Sequence, residues 1–215
     1  LPIESINAAT IKVLIPIKLN NGMAEISYSN IKNDDIAVMP LALTKANFAK
    51  ILKQLQLRPY SWGGDDFYND CSTETLIIYR TFGIFVPRNS ASQILSGNLV
   101  KLDKLSAEDR LKYLIKYGKA FLTIIRLNGH VMVYLGNFIK NGKAFPLTYQ
   151  NIWGLAPKDR SRRAVIGEAV FLPLLIKYPE DDTLQSLADH KNFELVYINK
   201  WPTTKLKQTL SELLY

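Results

Sequence analysis

Apolar residues recur at helical spacing through the first half of this chain and alternate in and out through the second, and the switch falls at Gly118. Residues 45–57 place Phe48, Ile51, Leu52 and Leu55 three and four apart behind Thr44, a good N-cap, and Pro59 lies just past the end. Residues 72–82 repeat the pattern with Leu76, Ile77, Tyr79 and Phe82 and stop at Gly83; shorter helical patterns cover 90–95 and 107–115. Beyond Gly118, residues 121–127, 130–135, 143–149 and 164–171 read as strands, with Asn141-Gly142 as a two-residue hairpin turn. Helices first and antiparallel strands later predict an α+β domain whose N-terminal helices pack on an antiparallel sheet. The last segment, 177–215, carries a helical pattern at Leu206, Leu210, Leu213 and Leu214 and is expected to cover that sheet.

Ahead of this domain, residues 11–29 read as two strands joined by Asn20-Asn21-Gly22, a strong turn signal. The reading is a small β appendage over 1–40 and a larger domain over 41–215. Forty residues are too few to bury a core alone, so the appendage either packs on the larger domain or lacks an upstream part. The chain has 215 residues, 47% hydrophobic and 21% charged, as a compact globular protein requires. No run reaches the roughly 18 to 20 apolar residues of a membrane span. Its start, Leu-Pro-Ile-Glu-Ser, lacks the pattern of a signal peptide, so the chain is expected to be mature or trimmed.

The formal net charge of +8 attracts polyanions without choosing among them. The basic residues are scattered, and only 160–163 form a dense group; with no stacking motif or basic helix, nucleic acid is not an expected partner and the charge reads as solvated surface. A single cysteine excludes an internal disulfide and any multi-cysteine zinc site, and two histidines without carboxylates at ligand spacing predict no metal and no cofactor.

That cysteine, Cys71, ends a loop over 60–70 rich in Gly, Asp and Asn and opens a buried helix, so its thiol should face the positive end of the helix. An unperturbed thiol, with a pKa of about 8.5, is mostly protonated at neutral pH; a helix N-terminus and a histidine are the means of favouring the thiolate. His130 opens a strand behind Gly129, with Met132 and Tyr134 on its own face and Val131, Val133 and Leu135 on the other. If 130–135 and 143–149 form a hairpin, Gln150 returns beside His130 as the third group that orients the imidazole. Against these roles stand the ordinary ones: a small buried cysteine, and a core or edge histidine. His190, in the polar segment Leu-Ala-Asp-His-Lys-Asn, reads as solvated.

Tyr60-Ser-Trp-Gly-Gly, Asp70-Cys71-Ser72, Arg80-Thr-Phe-Gly-Ile and Pro87-Arg-Asn-Ser-Ala-Ser-Gln93, followed by Gly129-His130-Val-Met-Val-Tyr-Leu-Gly136, Gln150-Asn-Ile-Trp-Gly154 and Arg163-Ala-Val-Ile-Gly167, resemble the NlpC family of cell-wall cysteine peptidases. The resemblance covers roughly residues 40 to 172. It implies a papain-like α+β fold and hydrolysis of peptidoglycan stem peptides between γ-linked D-glutamate and a diamino acid. Cys71 would be the nucleophile, His130 the base and Gln150 the orienting residue. It further implies Tyr60, Asp70 and Ser72 as substrate-binding or oxyanion-supporting residues. Asp70 suits a free peptide amine and equally suits a helix N-cap. Trp62, Gly63 and Gly64 read as an aromatic anchor and a tight turn, and Arg88 as a ligand for a substrate carboxylate or a bridge to an acidic loop residue.

Two positions depart from the family pattern: Thr73 stands where glycine is common, and Gln150 where histidine is usual. A glutamine carbonyl accepts the imidazole hydrogen bond but carries no charge, so weaker activity or a changed pH profile is expected. The segments 21–26 and 39–44 resemble the end of a bacterial Src-homology-3-like domain, which implies a missing N-terminal part. The same Cys-His pair would also serve a thiol amidase or acyltransferase, and the altered third residue admits a catalytically weak wall-binding module. The expected substrate implies a setting outside the bacterial cytoplasm: periplasm, envelope or secreted.

Overall fold

A computed structural model describes residues 1–19, 21–63 and 68–198. The chain divides into two compact units, Leu1–Leu41 and Ala42–Tyr215.

The first unit is an antiparallel sheet of three strands, β1 (Ile3–Ile6), β2 (Thr10–Lys18) and β3 (Ala24–Lys32), in that order. The sequence predicted only the second and third. Residues 10 and 32 pair at one end of the β2-β3 ladder and 18 and 24 at the other. Its turn closes with the Leu19 N–H on the Met23 carbonyl at 2.8 Å and with Gly22 at φ +80°, a conformation glycine adopts without strain.

The second unit carries three helices, α1 (Lys45–Leu55), α2 (Cys71–Thr81) and α3 (Ala107–Tyr117). Its six strands are β4 (Gly97–Lys101), β5 (Thr123–Leu127), β6 (His130–Lys140), β7 (Lys143–Leu155), β8 (Ala164–Pro173) and β9 (Glu194–Ile198). They form one sheet in the order β4-β9-β5-β6-β7-β8, and every neighbouring pair is antiparallel. This is an α+β fold. Each helix is capped as its sequence dictates: Thr44, Asp70 and Ser106 accept the N–H of Asn47, Thr73 and Asp109. α2 ends in a Schellman turn, with the Ile84 N–H on the Tyr79 carbonyl and the Gly83 N–H on that of Arg80.

The sheet buries both faces. On one, Leu111 and Leu114 of α3 join Ile125, Leu127, Met132, Tyr134 and Leu195 in a continuous apolar core. On the other, α2 packs across β6 and β7, and Phe48 of α1 stacks on Phe82 at 5.1 Å between ring centres. The hairpin at 141–142 forms with Lys140 opposite Lys143.

Three expectations need correction. Residues 194–198 do not cover the sheet; as β9 they run through it between β4 and β5, where four of the five residues are buried. Glu194 enters this interior because Arg126, its cross-strand partner, pairs with it. The helical pattern at 206–214 lies outside the described residues. The strand expected from residue 121 starts at Thr123, because Phe121 takes a positive φ of 65°. Residues 97–101, unassigned in the sequence, form β4; a Cβ at Gly97 would lie 1.9 Å from the Tyr197 carbonyl oxygen, so only glycine fits there.

Candidate active site

The loop before α2 is tied to the sheet at both ends. The Tyr60 N–H donates to the Gly167 carbonyl at 2.8 Å, and the Asn69 carbonyl receives the Ser61 N–H at 3.1 Å and Asn151 Nδ2 at 2.8 Å. One turn into α2, Glu74 is 1% exposed, and its two oxygens accept from Tyr149 at 2.7 Å and from Asn69 Nδ2 at 2.5 Å. Burial pushes the Glu74 carboxyl above its ordinary value, and those two hydrogen bonds only partly offset the rise. This polar strut binds the first turn of α2 to β7 and fixes where Cys71 sits.

Cys71 is the first residue of α2 and is 6% exposed. Its sulfur lies against the N–H of Val131 and the helix-start N–H groups of Ser72 and Cys71 itself, all of which favour a thiolate. Burial acts more strongly, so the thiol is held above its ordinary value, and the neighbouring Asp70 charge adds to the rise.

His130 sits beside Val131 at the start of β6, with Nε2 2.7 Å from Gln150 Oε1. The orientation of that amide is fixed from behind. The Leu172 carbonyl can only accept, so the Thr148 hydroxyl donates to it at 2.7 Å; Thr148 Oγ1 then accepts Gln150 Nε2 at 2.9 Å. Gln150 therefore turns its oxygen to His130, the ring carries its proton on Nε2, and Nδ1 keeps a lone pair. Burial lowers the His130 pKa to about 4, although the bond to Gln150 works the other way. A neutral thiol and a neutral imidazole are the resting forms at pH 7.

Asp70 is wholly engaged. Its Oδ1 accepts the Thr73 N–H at 2.7 Å, the Thr73 hydroxyl at 2.9 Å and the Ser72 hydroxyl at 3.0 Å. Arg88 grips both carboxylate oxygens, at 3.2 and 2.9 Å, and also reaches Ser72 Oγ and the Gly63 carbonyl at 2.9 Å. Burial alone would raise the Asp70 carboxyl, but the Thr73 N–H and Arg88 outweigh it and hold the group below its ordinary value. Asp70 is thus both N-cap and ion-pair partner, and Arg88 is the bridge to an acidic loop residue. Thr73 fills the usual glycine position with a hydroxyl that serves the cap.

A cleft of about 520 Å³ opens beside His130, walled by Tyr60, Trp62, Trp153, Arg160, Arg163 and His190 among others. Tyr60 stands with its ring centre 6.1 Å from that of Trp153, and burial, with the nearby Cys71 charge adding to it, pushes its hydroxyl up to about 12. Two sequence expectations fail here. Trp62 is 82% exposed and walls the cleft, so it anchors nothing. Gly63 does turn with φ +78°, while Gly64 lies outside the described residues. His190 is not a solvated histidine: it is partly buried, lines the same cleft and is held by Arg110 on its carbonyl at 2.6 Å. Its polar sequence neighbours concealed this, because a short 3-10 turn at Leu187–Asp189 buries Leu187 and Ala188 and carries the ring inward.

No family model matches the chain. A curated relative, the gamma-D-glutamyl-L-lysine dipeptidyl-peptidase of Bacillus cereus (strain ATCC 10987 / NRS 248), is 28% identical over 144 residues, which are 64% of this chain and 39% of the relative. The solved structure of an NlpC/P60 endopeptidase from Photobacterium damselae subsp. piscicida superposes with a TM-score of 0.76 at 25% identity, covering 92% of this chain and 48% of that one. The chain therefore spans less than half the length of either protein. In fold the chain is thus similar to that NlpC/P60 endopeptidase, and in sequence to the dipeptidyl-peptidase.

Proposed function

We propose that this chain is a cysteine peptidase that hydrolyses peptidoglycan stem peptides between γ-linked D-glutamate and the diamino acid. The observation that carries the reading is the line Leu172, Thr148, Gln150, His130, which leaves Nδ1 free to take a proton, one residue before Val131, whose N–H meets the Cys71 sulfur. The name of the curated relative supports the choice of bond.

In this reading His130 Nδ1 takes the Cys71 proton as the sulfur bonds to the glutamyl carbonyl carbon. The oxyanion is met by the first N–H groups of α2, whose positive end favours it. Collapse breaks the carbon–nitrogen bond as the imidazolium passes its proton to the leaving amine, and water, deprotonated by His130, cleaves the thioester. Gln150 orients the ring without adding charge. Tyr60 and Ser72 flank the acyl portion. Asp70 shapes that side through its cap and its pairing with Arg88, so a substrate amine reaching it joins an occupied network. The substrate implies an extracytoplasmic setting, and among the described residues no helix is long and apolar enough to cross a membrane. The unit Leu1–Leu41 is read as the end of a Src-homology-3-like domain.

Hydrolysis of L-Ala-γ-D-Glu-diaminopimelate by the protein and by Cys71→Ser, followed by mass spectrometry, tests this. Release of the free diamino acid by the first and not the second is expected. An intact substrate with both proteins would overturn the peptidase reading.

A further inference from the structure

The hairpin that brings Gln150 back to His130 ends in an exposed tip. Asn141 and Gly142 both take positive φ, 51° and 71°, so β6 and β7 are joined by a tight two-residue turn that holds the tip rigid. There Lys140 stands directly opposite Lys143, a like-charge pair that weakens a hairpin, so its place calls for a reason outside the fold. Ile139, the next residue inward, faces Ala144 and is 69% exposed.

A groove of about 460 Å³ runs beside this tip, between α3 and the segment 174–177. Its walls are apolar, from Ile115, Ala144, Phe145, Pro146, Leu175 and Ile176, and Lys112, Lys143 and Lys177 line it as well. Ala144 joins groove and tip, since it lines the one and pairs across the ladder with Ile139 at the other. Asn137, on the same face of β6 as Ile139, donates its amide to the Ile115 carbonyl at 3.3 Å. Apolar centre and basic rim are therefore one continuous surface. Among the described residues one carboxylate, Glu108, lines the groove, and the neighbouring Asp109 is engaged by Lys112 at 3.1 Å. Lys140, Lys143 and Lys177 have no ion-pair partner among the described residues.

The spread of these lysines decides what they meet. A small anion needs donors that converge on one point, whereas these cations come from the hairpin tip, from α3 and from the segment after β8, around an apolar centre. That arrangement matches a bilayer surface: apolar side chains enter the acyl boundary, and lysine stems carry their charge out to the headgroup phosphates. The whole length of β6, about 30 Å at the rise of a strand, separates the tip from His130, so contact there leaves the candidate active site uncovered.

We propose that the β6-β7 hairpin tip and the adjoining groove dock the chain on an anionic lipid surface, with Ile139 entering the interface and Lys140, Lys143 and Lys177 pairing with lipid phosphates. No residue of the candidate active site takes part, so docking stands or falls apart from the peptidase reading.

Co-sedimentation of the intact chain with phosphatidylcholine vesicles, alone or carrying about 30 mol% phosphatidylglycerol, measures this. Partitioning onto the anionic vesicles should exceed that onto the neutral ones by about a hundredfold at about 0.05 M salt and fall steeply at about 0.5 M. Lys140→Gln combined with Lys143→Gln should lower it by about thirtyfold, roughly fivefold for each cation lost, and Ile139→Ser by about tenfold. Lys50→Gln combined with Lys53→Gln removes the same charge from α1, on the other face of the sheet, and should change it by less than about twofold. An equal loss in the α1 variant would show attraction to the net charge of +8 without docking and overturns the proposal, as does equal partitioning onto the two kinds of vesicle. If the chain stays free of both vesicles but binds a soluble alternating Glu-Leu peptide through the same lysines, the occupant is an acidic protein segment and the lipid assignment fails.

Discussion

His130 Nε2 donates to Gln150 Oε1 at 2.7 Å, and because Thr148 holds the other end of the amide, this one contact fixes both the tautomer and the plane of the imidazole. An uncharged acceptor favours the imidazolium only weakly, so burial outweighs it and lowers the His130 pKa to about 4. The acid limb of the kcat/KM profile should therefore fall near pH 4. Gln150→Glu places a negative charge against the ring and should move that limb up by about one to two units, while Gln150→Ala should lower kcat by about a hundredfold through loss of orientation. A limb that stays in place in Gln150→Glu would mean that another group sets it.

Cys71 offers a second, independent readout. With the thiol raised by burial and the imidazole low, the two groups rest neutral, and thiolate forms only as pH rises or as substrate is attacked. Alkylation of Cys71 by iodoacetamide should accelerate steadily from pH 6 to 9. A rate already at its plateau at pH 5 to 6 would reveal a preformed thiolate-imidazolium pair and contradict this description.

Much of this site was legible in the sequence, and the reasons are physical. Asp70 and Gly83 bracket α2 because capping chemistry is local, and Asn141-Gly142 sets a hairpin whose register brings Gln150 back toward His130. The features that were not legible depend on partners distant in sequence. β9 lies among polar residues and ends its ladder at Glu194, a residue that reads as exposed until Arg126 supplies its counter-charge 68 residues away. His190 and Arg160 reach the cleft from different loops, and no spacing rule links them. Trp62 reads as an anchor because aromatic residues are usually buried, whereas here a Gly63 turn leaves it facing solvent on the cleft wall.

The Arg88-Asp70 pair should matter more for acid tolerance than for stability at pH 7. Arg88 is nearly half exposed, so losing the pair in Arg88→Met should cost only about 1 kcal/mol. The Asp70 pKa is lower in the folded chain than in the unfolded one. Its stabilisation is therefore present above the unfolded value of about 3.9 and is lost as pH falls through the folded value. Denaturant unfolding at pH 7 and pH 3 should show the wild-type advantage over Arg88→Met shrinking at the lower pH. An advantage that grows there would show that Asp70 is not the group being held.

Glu74 titrates with the opposite sign. Its folded pKa is raised by burial, so the stability it contributes is complete below the unfolded value of about 4.3 and declines as pH rises through the folded value, where the carboxyl must ionise inside the fold. Glu74→Gln removes that ionisation while keeping the shape, and Asn69 can turn its own amide to meet the new donor. The variant should be less stable than wild type at pH 4, and the gap should close or reverse by pH 8 when both are followed by thermal unfolding. Tyr149→Phe strips a donor from the same buried carboxylate and should cost about 1 to 3 kcal/mol at pH 7, less at pH 4 where the carboxyl is neutral. If Tyr149→Phe is equally destabilising at both pH values, Glu74 is uncharged throughout, and the strut that positions Cys71 is a neutral hydrogen-bonded pair.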